Sequence, residues 1–143
     1  MPIKAIIIDD ERLARNELKK LLEQYPDISI IDEASNVDEA VEKIDLSRPD
    51  LIFLDIQMPG KTGFDLLAEI EKSPRVIFTT AYDEFALKAF EVNALDYLLK
   101  PIDPKRLADA IQKLQTEIAL EQASLMGVSR GPLTEVDQVF VKD

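Results

Sequence analysis

A chain of 143 residues, 46% of them apolar, is long enough to close one hydrophobic core and reads as a single domain with a short extension. Its net charge of −11, from 17 Lys and Arg against 28 Asp and Glu, argues against this chain gripping nucleic acid by itself. It contains neither cysteine nor histidine, which removes disulfides, thiolate sites, imidazole acid–base chemistry and the Ser–His and Cys–His nucleophile pairs.

Any metal bound here must therefore be held by oxygen, which points to Mg²⁺, Mn²⁺ or Ca²⁺ rather than Zn²⁺ or Cu²⁺. No apolar run approaches the roughly 18 residues that a membrane span needs. Met1-Pro2-Ile3-Lys4 lacks the charged-then-apolar layout of a signal peptide. Together with the absence of cysteine, this gives a cytoplasmic reading with no membrane partner.

In chain order, Ile3 to Ile8 is a buried strand ending on Asp9-Asp10-Glu11. Residues 12–24 follow as a helix with Ala14, Leu18, Leu21 and Leu22 on one stripe. Residues 28–34 form a second strand, interrupted by Ser29, Asp32 and Glu33 and so placed at a sheet edge. Asn36 with Glu39 three residues later starts a second helix, to about residue 46, in the manner of a capping box. Leu51 to Leu54 is apolar without alternation, as in a strand buried on both faces. It stops on Asp55, and Met58-Pro59-Gly60 then breaks the chain direction.

Residues 63–72 are a third helix with Phe64, Leu67 and Ile70 inward, closed by Ser73-Pro74. Arg75 to Thr79 is a fourth strand, ending in Thr79-Thr80. A helix opened by Asp83 or Glu84 runs to about residue 92, with Asn93 as its left-handed stop. Residues 96–100 make a short fifth strand before Pro101. Asp103 caps a last helix with Pro104 at its first position. Leu107, Ile111, Leu114 and Ile118 give that helix one face for packing on the sheet. From about Ala123 the pattern dissolves, and Gly127, Ser129, Gly131 and Pro132 read as a linker. Residues 138–143 read either as a frayed tail or as the first strand of a further domain.

Five strands alternating with five helices imply an α/β fold, a doubly wound parallel sheet with right-handed crossovers. The flavodoxin-like strand order 2-1-3-4-5 puts strands one and three side by side and the weak second strand at an edge. Ligands in such sheets collect at the carboxyl ends of the strands. An Asp at that place is a metal ligand, a nucleophile or a helix cap.

Adjacent first and third strands bring Asp9, Asp10 and Asp55 to one edge. Three carboxylates within ~4 Å would repel by about 4 kcal/mol per pair at an effective dielectric near 20, so a counter-charge is required. A divalent cation held by carboxylates, a backbone carbonyl and waters supplies it. Thr80 adds a hydroxyl on one side and Lys100 an ammonium on the other. A carboxylate nucleophile, a metal, a hydroxyl and a cation around one point suit in-line phosphoryl transfer, with an acyl phosphate as product.

On Asp9-Asp10-Glu11, Asp55 with Met58-Pro59-Gly60, Thr80-Ala81, Tyr97 and Lys100-Pro101, the sequence resembles the receiver domain of two-component response regulators over residues 3–120. The resemblance implies that Asp55 accepts a phosphoryl group from a partner histidine kinase. It implies that Asp10 and Asp55 ligate Mg²⁺ (or Mn²⁺) directly, with Asp9 through water and the main-chain carbonyl of Gln57 completing the site. Thr80 and Lys100 would contact the phosphoryl oxygens, the Lys100–Pro101 bond would be cis, and Tyr97 would be the aromatic switch residue. The surface moved is then helix four, strand five and helix five, with Phe85, Phe90, Leu95 and Tyr97 as candidates for a phosphorylation-dependent homodimer or partner face.

Residues 82–90 and 94–101 resemble receivers of the LytTR class, in which a β-rich DNA-binding domain follows a linker. Residues 1–122 are then the receiver, and 123–143 the linker and opening of an output domain through which DNA contact and transcription regulation would run. The receiver itself is a phosphoacceptor, not an enzyme beyond its own phosphorylation and dephosphorylation. A stand-alone receiver acting through protein binding is an alternative. A Mg²⁺-dependent phosphohydrolase is another, although Asp9-Asp10-Glu11 lacks the Asp-x-Asp spacing such enzymes carry after the first strand. Gly60, Gly63, Gly127 and Gly131 cannot make the glycine-rich turn of a dinucleotide site.

Overall fold

A computed structural model describes residues 2–125. By contacts the chain groups into two compact units, Met1–Ala110 and a second beginning at Ile111. The sheet and the site belong to the first. Five strands, β1 (Ile3–Ile8), β2 (Ile28–Ala34), β3 (Leu51–Leu54), β4 (Arg75–Thr80) and β5 (Asp96–Leu99), form one sheet in the order β2-β1-β3-β4-β5. All four pairings are parallel, as alternation with helices requires. The charged strand β2 is an edge, as its interrupted pattern predicts, and a register shift against β1 falls between Ala5 and Ile6.

The central strands carry the core. Leu51, Ile52, Phe53 and Leu54 are fully buried, which is why β3 shows no polar alternation. Ile6, Ile8, Ile52, Leu54, Val76 and Phe78 form one face of the sheet. They pack with Val37, Ala40 and Ile44 of α2 (Val37–Ser47), Leu66 of α3 (Gly63–Glu69) and Ala89 of α4 (Ala86–Glu91). Leu18 and Leu22 of α1 (Arg12–Leu22) are buried as well, as are Leu107 and Ala110 in the first turns of α5 (Pro104–Leu125).

Helix ends follow their local chemistry. Asn36 accepts from the Glu39 N–H at 2.8 Å, while the Glu39 carboxylate turns to the N–H and hydroxyl of Ser35. Thr62 and Asp65 form a reciprocal capping box that starts α3 at Gly63. Asp103 accepts from the Lys105 N–H ahead of α5. Arg48 and Asn93 close α2 and α4 with φ of 50° and 62°, the short excursions that end helices.

The structure shortens three helices against expectation. α1 stops at Leu22, because residues 23–25 turn back through bonds from the Glu23 and Tyr25 N–H groups to the carbonyls of Lys20 and Leu22. α3 stops at Glu69, where Ile70 takes extended geometry and is buried. α4 begins at Ala86 rather than near Asp83, with no side-chain cap, since the preceding residues are engaged at the end of β4. α5 continues through Leu125, past the expected end of regular structure near Ala123. The linker and final strand expected beyond it lie outside the described residues.

Candidate functional site

The site grows from strand register. Ile8 pairs with Leu54, so the next residue of each strand, Asp9 and Asp55, leave the sheet side by side. The Asp55 N–H donates to the Ile8 carbonyl at 2.9 Å. Asp9 and Asp55 are 3% and 4% exposed, whereas Asp10 is exposed. One carboxylate oxygen from each of the three lies within 4.8 Å of the others. Burial and then the charge of Asp9 push the Asp55 carboxyl up to about 7, Asp10 adds to this, and Lys100 and the Ile56 N–H oppose it. A carboxyl displaced so far by burial and like charge, at the end of a central strand, marks a place built for something other than stability.

Lys100 stands just beyond β5, its N–H on the Thr80 carbonyl at 2.8 Å and its peptide bond to Pro101 cis. Its Nζ lies 2.7 Å from Asp9 Oδ2 and 3.6 Å from Asp55 Oδ2. Burial works against the ammonium, yet the bond from Asp9 and the charges of Asp55 and Asp9 prevail, and its pKa sits above the ordinary lysine value. The counter-charge that the sequence assigns to a metal is thus supplied in part by the protein itself. The donor set still suits a hard cation: three carboxylates, oxygen only, two buried and one open to solvent. Gln57, whose carbonyl is expected to join them, lies two residues past Asp55 in the loop before α3 and is exposed.

Thr80 is fully buried at the end of β4, and its Oγ1 accepts from the Tyr82 N–H at 3.2 Å. The Tyr97 hydroxyl donates to the carbonyl of the same Tyr82, and its ring lies 6.4 Å from that of Phe78. Tyr82 therefore joins the two expected switch residues through its main chain. The surface beyond differs from expectation in its membership. Of the four residues named from sequence, only Phe90 is strongly exposed, at 78%. Phe85 is half-buried between Phe64 and Tyr82, and Leu95 and Tyr97 are half-buried too. Leu87, Tyr82 and Leu99 are the exposed apolar neighbours instead.

Three residues escaped the sequence reading. Gly63 lies under the Asp55 loop: a Cβ there would stand 2.5 Å from the Asp55 carbonyl oxygen. Its N–H also bonds the Ile56 carbonyl at 2.9 Å. Lys61 ties the same loop to Asp38 and Glu69, at 2.9 Å each. Arg15 donates to the main-chain carbonyl of Asp9 at 2.7 Å. Only Gly63 left a trace in the sequence, as a glycine at a first helical position where nothing about the helix asks for one.

The chain matches the family profile described as "Response regulator receiver domain" over residues 5–112. It is 44% identical to an uncharacterized response regulatory protein of Vibrio cholerae, across 96% of this chain and 63% of that protein. It is 46% identical to the sensory transduction protein LytT of Bacillus cereus, across 80% and 48%. With the transcriptional regulatory protein BtsR of Salmonella typhi the figures are 45%, 87% and 53%. The chain thus spans about half to 63% of the length of these curated relatives. Among solved structures, the REC domain of AraT from Geobacillus stearothermophilus superposes with a TM-score of 0.77 at 33% identity, covering 85% of this chain and 99% of that one. The response regulatory domain of mrkE from Klebsiella pneumoniae gives 0.74 at 35%, covering 84% and 99%.

Proposed function

Since the chain belongs to the response regulator receiver family, a family of signalling domains rather than of enzymes in the usual sense, we propose that it receives a phosphoryl group on Asp55 from a sensor histidine kinase. In that step an Asp55 oxygen bonds to phosphorus as the bond from phosphorus to the kinase imidazole nitrogen breaks; the bonding pair stays on that nitrogen, so the ring, protonated on its other nitrogen, leaves as a neutral histidine and an acyl phosphate remains on Asp55. The observation that carries the reading is the meeting of Asp9, Asp10 and Asp55 within 4.8 Å, with Lys100 Nζ 2.7 Å from one carboxylate and 3.6 Å from another. Held by Asp9, Asp10, Asp55 and the Gln57 carbonyl, Mg²⁺ or Mn²⁺ would supply positive charge against the carboxylates and the incoming phosphoryl oxygens.

The remaining work falls to this chain's own groups. Lys100, now shared between Asp9 and Asp55, is within reach of oxygens added to Asp55 and stabilises them as an ammonium. The Thr80 hydroxyl turns toward the same oxygens and gives up its bond from the Tyr82 N–H. Tyr82 then loses its tie to Thr80 and keeps the one from the Tyr97 hydroxyl to its carbonyl. A charge change at Asp55 of about one unit in this way alters the loop before α4, and with it the face that carries Leu87 and Phe90. That face is the proposed contact for a phosphorylation-dependent homodimer. The relatives named LytT and BtsR support an output through a LytTR-type DNA-binding domain in the longer protein. The acidic charge of this chain agrees with DNA contact lying there.

Intact mass after incubation with Mg²⁺ and acetyl phosphate tests the reading. One phosphoryl group is expected on the wild type and none on Asp55→Asn. Equal addition to both would remove Asp55 from its role. Addition to neither, followed by no response to beryllofluoride, would leave a receiver fold whose switch is not phosphorylation.

A further inference from the structure

Asp9 has every polar group engaged. Its N–H donates to the Ala34 carbonyl of β2 at 3.0 Å. Its Oδ1 accepts from the Glu11 N–H at 2.9 Å, its Oδ2 takes Lys100 at 2.7 Å, and its carbonyl takes Arg15 Nη1 at 2.7 Å. The last bond differs from the others because it acts on the peptide that joins Asp9 to Asp10. Asp10 is exposed, so the plane of that peptide decides where its carboxylate stands.

Arg15 is itself fixed from behind. Its side chain is 15% exposed, and its Nε donates to Glu33 Oε1 at 2.9 Å. Lys19, one helical turn on, takes the second oxygen of Glu33 at 2.6 Å, and Lys43 holds the Glu33 carbonyl at 2.5 Å. A planar guanidinium donating from two edges to two acceptors has little freedom left. Both main-chain groups of Asp9 are therefore referred to edge strand β2, one directly and one through Arg15 and Glu33.

We propose that Arg15, locked by Glu33, is a positioning residue for the cation site: it sets the Asp9–Asp10 peptide so that the carboxylates converge with that of Asp55. The inference rests on the receiver reading above. Two effects of Arg15 on a cation oppose each other. Its positive charge repels a second positive charge, and its hydrogen bond preorganises the ligands. Partners of this kind behind metal ligands are worth about 10–100-fold in affinity, and the Arg15 charge is partly offset by the Glu33 carboxylate it shares with Lys19. The preorganising effect wins, which fixes the sign of the test.

The experiment is titration of Mg²⁺ by calorimetry into wild type, Arg15→Ala, Glu33→Gln and the double variant, with thermal midpoints in EDTA measured alongside. Arg15→Ala is expected to weaken Mg²⁺ binding about tenfold, Glu33→Gln by less, and the double variant no more than Arg15→Ala alone. Amide shifts of Asp10 and Glu11 should move in all three variants without Mg²⁺. A dissociation constant unchanged within about twofold, or tighter binding, would overturn the proposal. So would a fall in the EDTA midpoint with affinity intact, the mark of a structural role only. Should Arg15→Ala fail to fold, Glu33→Gln decides by the same criterion, because it keeps the guanidinium and takes the charge from its anchor, leaving at most a neutral hydrogen bond. A wild type that binds no Mg²⁺ would remove the receiver reading itself, whereas equal binding by wild type and variants would remove only the role of Arg15.

Discussion

The two flanks of the Asp9–Asp55 edge are held by different forces. Toward β2 the contacts are ionic and directional: Arg15 and Lys19 share Glu33, and Lys43 bridges Asp32 and Glu39. The Lys19 hydrogen bond and then that of Arg15, against burial, keep the Glu33 carboxyl below its usual range. Toward β5 one ion pair joins Arg106 to Asp96 at 3.0 Å, and the contacts around Thr80 and the loop after it are aromatic. Phe64, Phe78, Phe85, Tyr82 and Tyr97 form a chain of tilted and edge-on rings 5.0–6.4 Å apart, with Lys88 lying 4.7 Å over Phe64. Charge-assisted hydrogen bonds are short and directional, whereas ring contacts are satisfied over a range of offsets. The difference is one of kind: directional bonds hold the Asp9 peptide on one flank, while on the other the proposed switch loop and the short helix α4 rest on ring contacts.

Substitutions on the two flanks should differ in kind and in size. The largest effect is expected where the flanks meet. Asp55→Asn should abolish phosphoryl addition while leaving the fold intact. The pKa of Asp55 is raised on folding to about 7, so ionising it costs stability, and that cost grows as pH rises from its unfolded value toward 7 and is complete above. Melting in EDTA should accordingly find Asp55→Asn more stable than wild type at pH 8, with the gap closing toward pH 4. A gap independent of pH would mean that Asp55 does not carry the buried charge.

On the aromatic flank, Phe78→Ala should cost about 3–5 kcal/mol in urea denaturation, because Phe78 is fully buried beneath the rings of Phe64 and Tyr97. Gly63→Ala should cost about 1–3 kcal/mol through overpacking and slow phosphorylation from acetyl phosphate, since its methyl presses on the Asp55 carbonyl. A neutral Gly63→Ala would show that the Asp55 loop yields more easily than its bonds suggest. Tyr97→Phe removes only the bond to Tyr82 and should cost about 0.5–1.5 kcal/mol. Phosphorylation should persist in it while protection from hydrogen exchange in α4 stops responding. The smallest effect belongs to the ionic flank: Lys43→Met should cost less than about 1 kcal/mol, because the pair is half-exposed. A larger loss would mean that this flank is stabilised by its charges and not only ordered by them.

Much of this was legible in the chain. The unbroken apolar run Leu51–Leu54 predicts a strand buried on both faces, and Ser29, Asp32 and Glu33 predict an edge, because burial and exposure leave different residue patterns. Asp9, Asp55 and Lys100 were identifiable since each follows a strand directly, and Thr80 since it ends one. Helix ends were less legible where no cap residue speaks, as at residues 83–86, which follow a Tyr82 whose main chain is bonded to Thr80 and Tyr97. That Phe85 and Tyr97 are half-buried was not legible, because their ring partners Phe64 and Phe78 come from other elements.

The alternation of strands and helices and the residues at each strand end were legible in the chain, because local periodicity and connectivity carry them, and the order 2-1-3-4-5 came only through the fold class they imply. Only the tertiary structure decided which groups meet. Lys100 on Asp9, Arg15 on the Asp9 carbonyl and Gly63 beneath Asp55 join residues 91, 6 and 8 positions apart. Sheet register and helix packing set such distances, and periodicity along the chain carries no record of them.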